Sequence, residues 1–191
     1  MAVRTDEQLM ARYAGGDLQA FGELYSRYER RLYNYLCRVS GQRETAAELL
    51  QDTFLRLHRE RKRYRAGSPF RPWIYTIATN LWRSEIRKRR TGERALRREA
   101  ADPAGSLPGV IDLAGDPEQQ VLEARLLSDI RSAIEFLPDA QREVLLLSRY
   151  EHLSQMEIAQ VLGVSVGAVK QRIFRGLSQL KEKLSYWTED R

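Results

Sequence analysis

The sequence predicts an all-α protein made of two small helical domains joined by a flexible acidic linker. Three observations carry this. Apolar residues in both halves recur at steps of three and four, the spacing of one face of a helix. No segment alternates apolar and polar residues long enough for a half-buried strand. Between the halves, residues 99–117 (EAADPAGSLPGVIDLAGDP) hold three of the six prolines, three glycines, four acids and no base, the composition of a tether. The expected domains are residues 1–98 and 118–191, with 99–117 between them.

In the first half, Leu18, Phe21, Leu24, Tyr25, Tyr28, Leu32, Tyr35, Leu36 and Val39 predict a long amphipathic helix between Gly15-Gly16 and Gly41, with Asp17 as its N-cap. A second helix is expected over residues 45–61. Its inward face would be Ala47, Leu50, Phe54 and Leu57, with Glu48, Gln51, Asp52 and Arg59 on the other side. A third begins near Pro69 and carries Trp73, Ile74, Ile77, Leu81 and Trp82 inward. Its opposite face is a polar stripe, Thr76, Thr79, Asn80, Arg83 and Arg87, that grows basic along the helix. Phe70 and Tyr75 are expected to be exposed, where aromatic rings could stack on unpaired bases.

After the tether, residues 118–136 predict a helix with Val121, Leu122, Leu126, Ile130, Ala133 and Ile134 inward, and residues 139–150 another. Ser154-Gln155-Met156-Glu157 then reads as a capping box, in which Ser and Glu satisfy each other's backbone donors at a helix start. The helix it opens stops at Gly163, and Ser165 stands ready to cap the next. A helix, a short glycine turn and a second helix form the DNA-reading helix-turn-helix. On that last helix Val166, Val169, Ile173, Leu177, Leu180 and Leu184 are expected inward, and Gly167, Lys170, Gln171, Phe174, Arg175 and Ser178 outward. Lys, Gln and Arg can hydrogen-bond base edges in the major groove, and an exposed Phe can meet a thymine methyl.

The net charge of +6 is concentrated in residues 83–98, where eight Lys/Arg face two acids, so the block attracts phosphate. Other classes lack their residues. A single cysteine, Cys37, allows no internal disulfide or multi-cysteine zinc site. His58 and His152 stand alone and there is no glycine-rich phosphate loop, so an enzyme, a bound metal and a cofactor are not expected. The first residues carry charges where a secretion signal needs an apolar core, and no stretch approaches a membrane span, so the expected location is the cytoplasm.

Three segments together resemble the extracytoplasmic-function (group 4) sigma factors of bacterial RNA polymerase. They are AAELLQDTFLRLHR, similar to the family's polymerase-binding helix; FRPWIYTIATNLWRSEIRKRR, similar to its promoter-melting segment; and LPDAQREVLLLSRYEHLSQMEIAQVLGVSVGAVKQRIFRGLSQLK, similar to its upstream-element reader. The resemblance implies that the first domain is sigma region 2 and the second sigma region 4. It implies that Glu48, Gln51, Asp52 and Arg56 contact the β′ coiled coil of core polymerase, with further contacts to the β subunit. It implies that Arg65, Phe70, Tyr75, Thr76, Thr79, Asn80, Arg83 and Arg87 hold the separated strand of the −10 element of promoter DNA. Lys170, Gln171, Phe174 and Arg175 would read the −35 element, with Ser165, Gly167 and Arg172 near phosphates. An anti-sigma factor would be the regulator, and no small-molecule substrate is implied. The chain departs from the common pattern in having Glu48, Asp52 and Gln171 where members often carry Asp, Glu and Ser. The rival reading is a stand-alone helix-turn-helix regulator that binds duplex DNA without polymerase.

Extended, the 99–117 tether reaches about 65 Å, but only about 25 Å as a random coil. Promoter elements two helical turns apart lie about 70 Å from each other. An extended tether and the widths of two domains can bridge that distance.

Overall fold

A computed structural model describes residues 4–95, 129–130 and 132–185, apart from the side chains of residues 90 and 92–95. The described residues form helices and turns with no strand. The tether, and most of the helix expected over residues 118–136, lie outside them.

Four α-helices build the first unit: α1 (Asp6–Ala14), α2 (Leu18–Ser40), α3 (Arg43–Glu60) and α4 (Phe70–Ala95), with a 3-10 turn (Arg61–Arg63) after α3. Local signals set their ends. The Asp17 carboxylate accepts from the backbone N–H of Gln19 (3.0 Å) and Ala20 (3.2 Å), satisfying donors that the first turn leaves free. Gly41 ends α2 at φ 71°, a conformation that a Cβ disfavours. Helix α1 opens on a capping box: Thr5 accepts from Gln8 N–H and the Gln8 side chain accepts from Thr5 N–H. Its Leu9, Met10 and Tyr13 complete the core, a helix the apolar pattern had not indicated.

The second unit comprises α5 (Asp139–Arg149), α6 (Gln155–Leu162) and α7 (Val166–Lys183). Ser154 and Glu157 form the expected capping box, Gly163 takes φ 64° at the end of α6, and Ser165 accepts from Ala168 N–H at 3.1 Å. α7 crosses α5 closely at Gly176, where a Cβ would stand 2.8 Å from Leu145 Cδ1. Phe136, just before α5, is exposed, with the Lys183 ammonium 4.2 Å from its ring centroid.

Two inward faces differ from the expected ones. On α3 the core residues are Ala46, Leu49, Thr53, Phe54 and Leu57, while Ala47 is exposed and Leu50 only half buried. The inward face is therefore turned by one residue. On α4, Phe70 and Tyr75 were expected to be exposed, but both are 0% exposed. Their rings meet Tyr28 and Tyr35 of α2 edge-on, with centroids 5.2 and 5.4 Å apart, a favoured aromatic geometry. Trp82 is buried and Trp73 partly buried, packed against Tyr64. Leu18 and Tyr25, expected inward on α2, are exposed. So are Val166 and Leu177 on α7, whereas Ile173, Leu180 and Leu184 are half buried.

The two units share one continuous apolar core, and α4 is covered on a second side by α6, and α2 by α5. Among the described residues no helix is long and apolar enough to cross a membrane, and no group of His, Cys, Asp or Glu is placed to hold a metal ion.

Candidate nucleic-acid interface

Three faces gather the residues that the sequence singles out. The first is the outer side of α3. Glu48, Gln51, Asp52, Leu55 and Arg56 are exposed there, and the Arg56 Nε–H donates to Glu60 Oε1 at 2.9 Å one turn on. Because the inward face is turned by one residue, the apolar side chains of Ala47 and Leu50 open onto a groove between α2 and α3. This groove of about 910 Å³ is also lined by Phe21, Tyr25, Tyr33 and Phe54, and Gln51 stands at its edge. An apolar groove beside exposed acids suits a protein partner more than nucleic acid, because phosphate would meet Glu48 and Asp52.

The second face is α4 with the turn before it. Arg65, Asn80 and Arg87 are exposed, and Thr76 and Arg83 are half buried. Thr76 donates back to Pro72 O at 2.8 Å. Thr79 is fully buried and shares a hydrogen bond of 3.0 Å with the Tyr35 hydroxyl. The stripe expected to be continuous is thus interrupted at Thr79, leaving Thr76, Asn80, Arg83 and Arg87 along one edge. Part of the basic block is engaged inside the fold, since Arg89 binds Glu85 at 3.1 Å and the Thr45 hydroxyl at 2.7 Å.

Arg83 faces the second unit. Its Nε and Nη2 donate to the Glu143 carboxylate, the shortest contact being 2.9 Å, and its Nη1 donates to Leu162 O at 3.0 Å. Burial pushes the Glu143 carboxyl above the usual carboxylate range, with Arg83 pulling the other way. Tyr75 donates its hydroxyl to Glu151, and burial raises the phenol far above its ordinary pKa. Neither carboxylate was singled out by its sequence position, because an acid in a helix pattern reads as a solvated side chain.

The third face is the outer side of α7. Lys170, Gln171, Phe174 and Arg175 are exposed, Phe174 at 73%, while Val169 is fully buried beneath them. Ser165 and Gly167 are exposed at the start of the helix. Arg172 is half buried, and its Nη1 is buried without a hydrogen-bond partner. An aromatic ring held in water among a Lys, a Gln and an Arg, on the second helix of a helix-turn-helix, has the chemistry of a major-groove reading face.

Comparison with known proteins decides the family. The Sigma-70 region 2 model matches residues 24–91, and the Sigma-70, region 4 model matches residues 127–180. The chain is 35% identical to RNA polymerase sigma factor CarQ of Myxococcus xanthus, over 92% of this chain and 95% of that one. It is 33% identical to ECF RNA polymerase sigma factor SigW of Bacillus subtilis, over 88% of this chain and 91% of that one. The chain belongs to the extracytoplasmic-function RNA polymerase sigma factors.

The solved structure of CnrH in complex with the cytosolic domain of CnrY superposes on this sigma factor with a TM-score of 0.67, at 26% identity, covering 95% of this chain and 97% of that one. The two matched regions fall on the two helical units. This sigma factor therefore acts with core RNA polymerase at promoter DNA, and sigma factors in general are not enzymes. The stand-alone regulator is not favoured, because both sigma regions are present in order along the chain.

Proposed function

We propose that this sigma factor divides its work among the three faces: α3 docks on core polymerase, α7 reads the −35 element, and the open edge of α4 holds the separated strand of the −10 element. The observation that carries this is the outer face of α7, where Phe174 stands exposed among Lys170, Gln171 and Arg175 instead of joining the core. Residues 1–98 and 118–191 would be the two working domains and 99–117 their tether. In vitro transcription with core polymerase on a library of promoter fragments tests the division. Enrichment of two elements at a fixed spacing is expected, and transcripts independent of any upstream element would remove α7 from recognition.

On α3, Glu48, Gln51, Asp52 and Arg56 would meet the β′ coiled coil, with the α2/α3 groove receiving apolar side chains beside it. On α4 and the turn before it, Arg65, Thr76, Asn80, Arg83 and Arg87 would be the groups that touch DNA. Phe70, Tyr75 and Thr79 support that surface from within, since buried side chains cannot stack on bases while the core stays closed. Ser165, Gly167 and Arg172 would lie near −35 phosphates. No catalytic step is assigned to the chain, and the cytoplasm is its proposed location. CnrH is held by the cytosolic domain of another protein, which supports an anti-sigma factor as the partner regulating this chain.

Asn80→Ala is expected to leave recruitment intact but to slow strand opening, because Asn80 is exposed on the edge assigned to unpaired bases and contributes nothing to the core. Permanganate reactivity of promoter thymines measures this, with a pre-melted bubble template restoring normal initiation. Normal opening of duplex by the variant would give the edge another role.

Arg175→Ala is expected to weaken discrimination at one −35 base pair by about 1–3 kcal/mol, the value of a bidentate base contact. The melting temperature should hardly move, since Arg175 is exposed. Selection of preferred −35 sequences reads the difference. A uniform loss across all sequences, with the salt slope reduced by about one, would make Arg175 a phosphate contact and pass base reading to Lys170 and Gln171.

A further inference from the structure

Basic side chains of the first unit fall into two groups. Arg12, Arg27, Arg56 and Arg89 each bind a carboxylate. Lys62, Arg63 and Arg65, in the turn between α3 and α4, are exposed and have no ion-pair partner among the described residues. Glu60 is the sole acid in the sequence between Asp52 and Glu85, and it is held by Arg56 at 2.9 Å. The charge of the turn is therefore uncompensated. The fold also fixes where it points. Tyr64, flanked by Arg63 and Arg65, is buried, with its ring centroid 5.1 Å from that of Trp73 and 6.2 Å from that of Phe70, and its hydroxyl donates to the Ser68 carbonyl. Gly67 at φ 81° and a 3.0 Å hydrogen bond from Ser68 N–H to Arg65 O close the turn. One inward ring thus pins the three cations at the N-terminal end of the α4 edge.

We propose that Lys62 and Arg63, next to Arg65, form a phosphate-holding site for the single strand of promoter DNA that continues downstream from the −10 element. The proposal deepens the assignment of the α4 edge to the separated strand and rests on it. From Thr76 to Arg87 that edge rises about 16 Å at 1.5 Å per residue, room for about five stacked nucleotides at 3.4 Å each. A longer separated strand runs off one end. The C-terminal end of α4 leads through residues 99–117 to the unit that would read the −35 element, which is upstream. The N-terminal end, where the basic turn lies, therefore faces downstream.

Charge separates this site from the polymerase-docking face. A basic partner that suits exposed Glu48 and Asp52 on α3 is repelled by Lys62 and Arg63, so one surface does not serve both. The site also differs from a base-reading one. Tyr64 and Phe70 are buried and Trp73 is partly buried against them, so the turn presents cations without a free ring for stacking. Contacts of that kind go to the backbone and are indifferent to base identity.

The test uses the full chain assembled with core polymerase, and fork DNA built on a promoter recovered from the transcription library. One fork ends its single strand at the −10 element, and a longer one continues it downstream with varied base sequence. The double variant Lys62→Ala, Arg63→Ala should bind the short fork as wild type does and bind the long fork more weakly than wild type, whatever the added sequence. At a salt slope of about 0.7 per single-strand phosphate, losing two contacts lowers the slope on the long fork by about 1.4, so a fourfold rise in salt weakens the variant about sevenfold less than wild type. The charge-keeping variant Lys62→Arg, Arg63→Lys should match wild type on both forks, and both variants should melt as wild type does, since the two side chains are exposed. Equal loss on the two forks, or loss of core binding, makes the turn a contact for duplex or for polymerase and overturns the proposal. An unchanged salt slope, or a loss that follows the added base sequence, overturns it as well. If wild type binds the short fork no better than a fork of unrelated sequence, the reading of the α4 edge fails and this site with it. A short fork bound normally, with wild type and the alanine variant equal on the long one, sinks the downstream site alone.

Discussion

Asp52→Arg is expected to abolish co-purification with core polymerase and to leave the thermal melt of the protein unchanged. Asp52 is exposed on α3, and the helix is held from the other side by Ala46, Leu49, Thr53 and Leu57, all buried. Reversing the charge therefore removes no packing. At a docking face where Glu48 stands one turn away, like-charge juxtaposition with a basic partner costs several kcal/mol, which at 1.4 kcal/mol per tenfold is at least about a hundredfold in affinity. Co-purification and a melt of the free variant measure the two halves of the expectation. Undiminished binding would take Asp52 out of the interface and weaken the assignment of the whole α3 face.

A second large effect is expected from Ile158→Ala, which should destabilise the helix-turn-helix unit by about 2–5 kcal/mol through the cavity it leaves. Ile158 is 0% exposed on α6 and belongs to the apolar core. The expected signature is a fall in activity at every promoter together, steepening with temperature, with the preferred −35 sequence unchanged. Thermal melts paired with promoter selection check this. Ile173, expected to face inward on α7, is only half buried, so Ile173→Ala should be milder. A change of sequence preference in Ile158→Ala would mean that the core residue also positions the reading side chains.

Local chemistry was the legible part. Asp17 caps α2, Ser154 and Glu157 form a capping box, Gly163 turns left-handed and Ser165 caps α7, each as its residue type requires over a span of a few residues. The outward direction of Lys170, Gln171, Phe174 and Arg175 followed from the same periodicity. Helix α1 carried a signal of the same kind, Thr5 with Gln8 three residues on, that the apolar pattern did not reveal.

Faces shared by several elements were harder to read. Periodicity places an inward face only to within a residue, because a residue turns 100° and a helix packed on two sides buries more than one stripe. That is why α3 presents Ala47 and Leu50 to a groove, and why α4 buries Tyr75 and Thr79. The close passage of Leu145 at Gly176, where a Cβ would stand 2.8 Å from Leu145 Cδ1, is likewise set by the packing of α7 on α5 and not by any local pattern.

The sequence by itself determined the helical class, the helix-turn-helix with its caps and the outward side chains of its second helix, and the resemblance that the family comparisons bear out. Those properties rest on interactions among residues a few positions apart, where identity and spacing suffice. Only the tertiary structure decided that Arg83 meets Glu143 and Tyr75 meets Glu151, 60 and 76 positions away. Whether an arginine is free for phosphate or held by a carboxylate depends on which surfaces the two units bring together, and no local pattern encodes that distance.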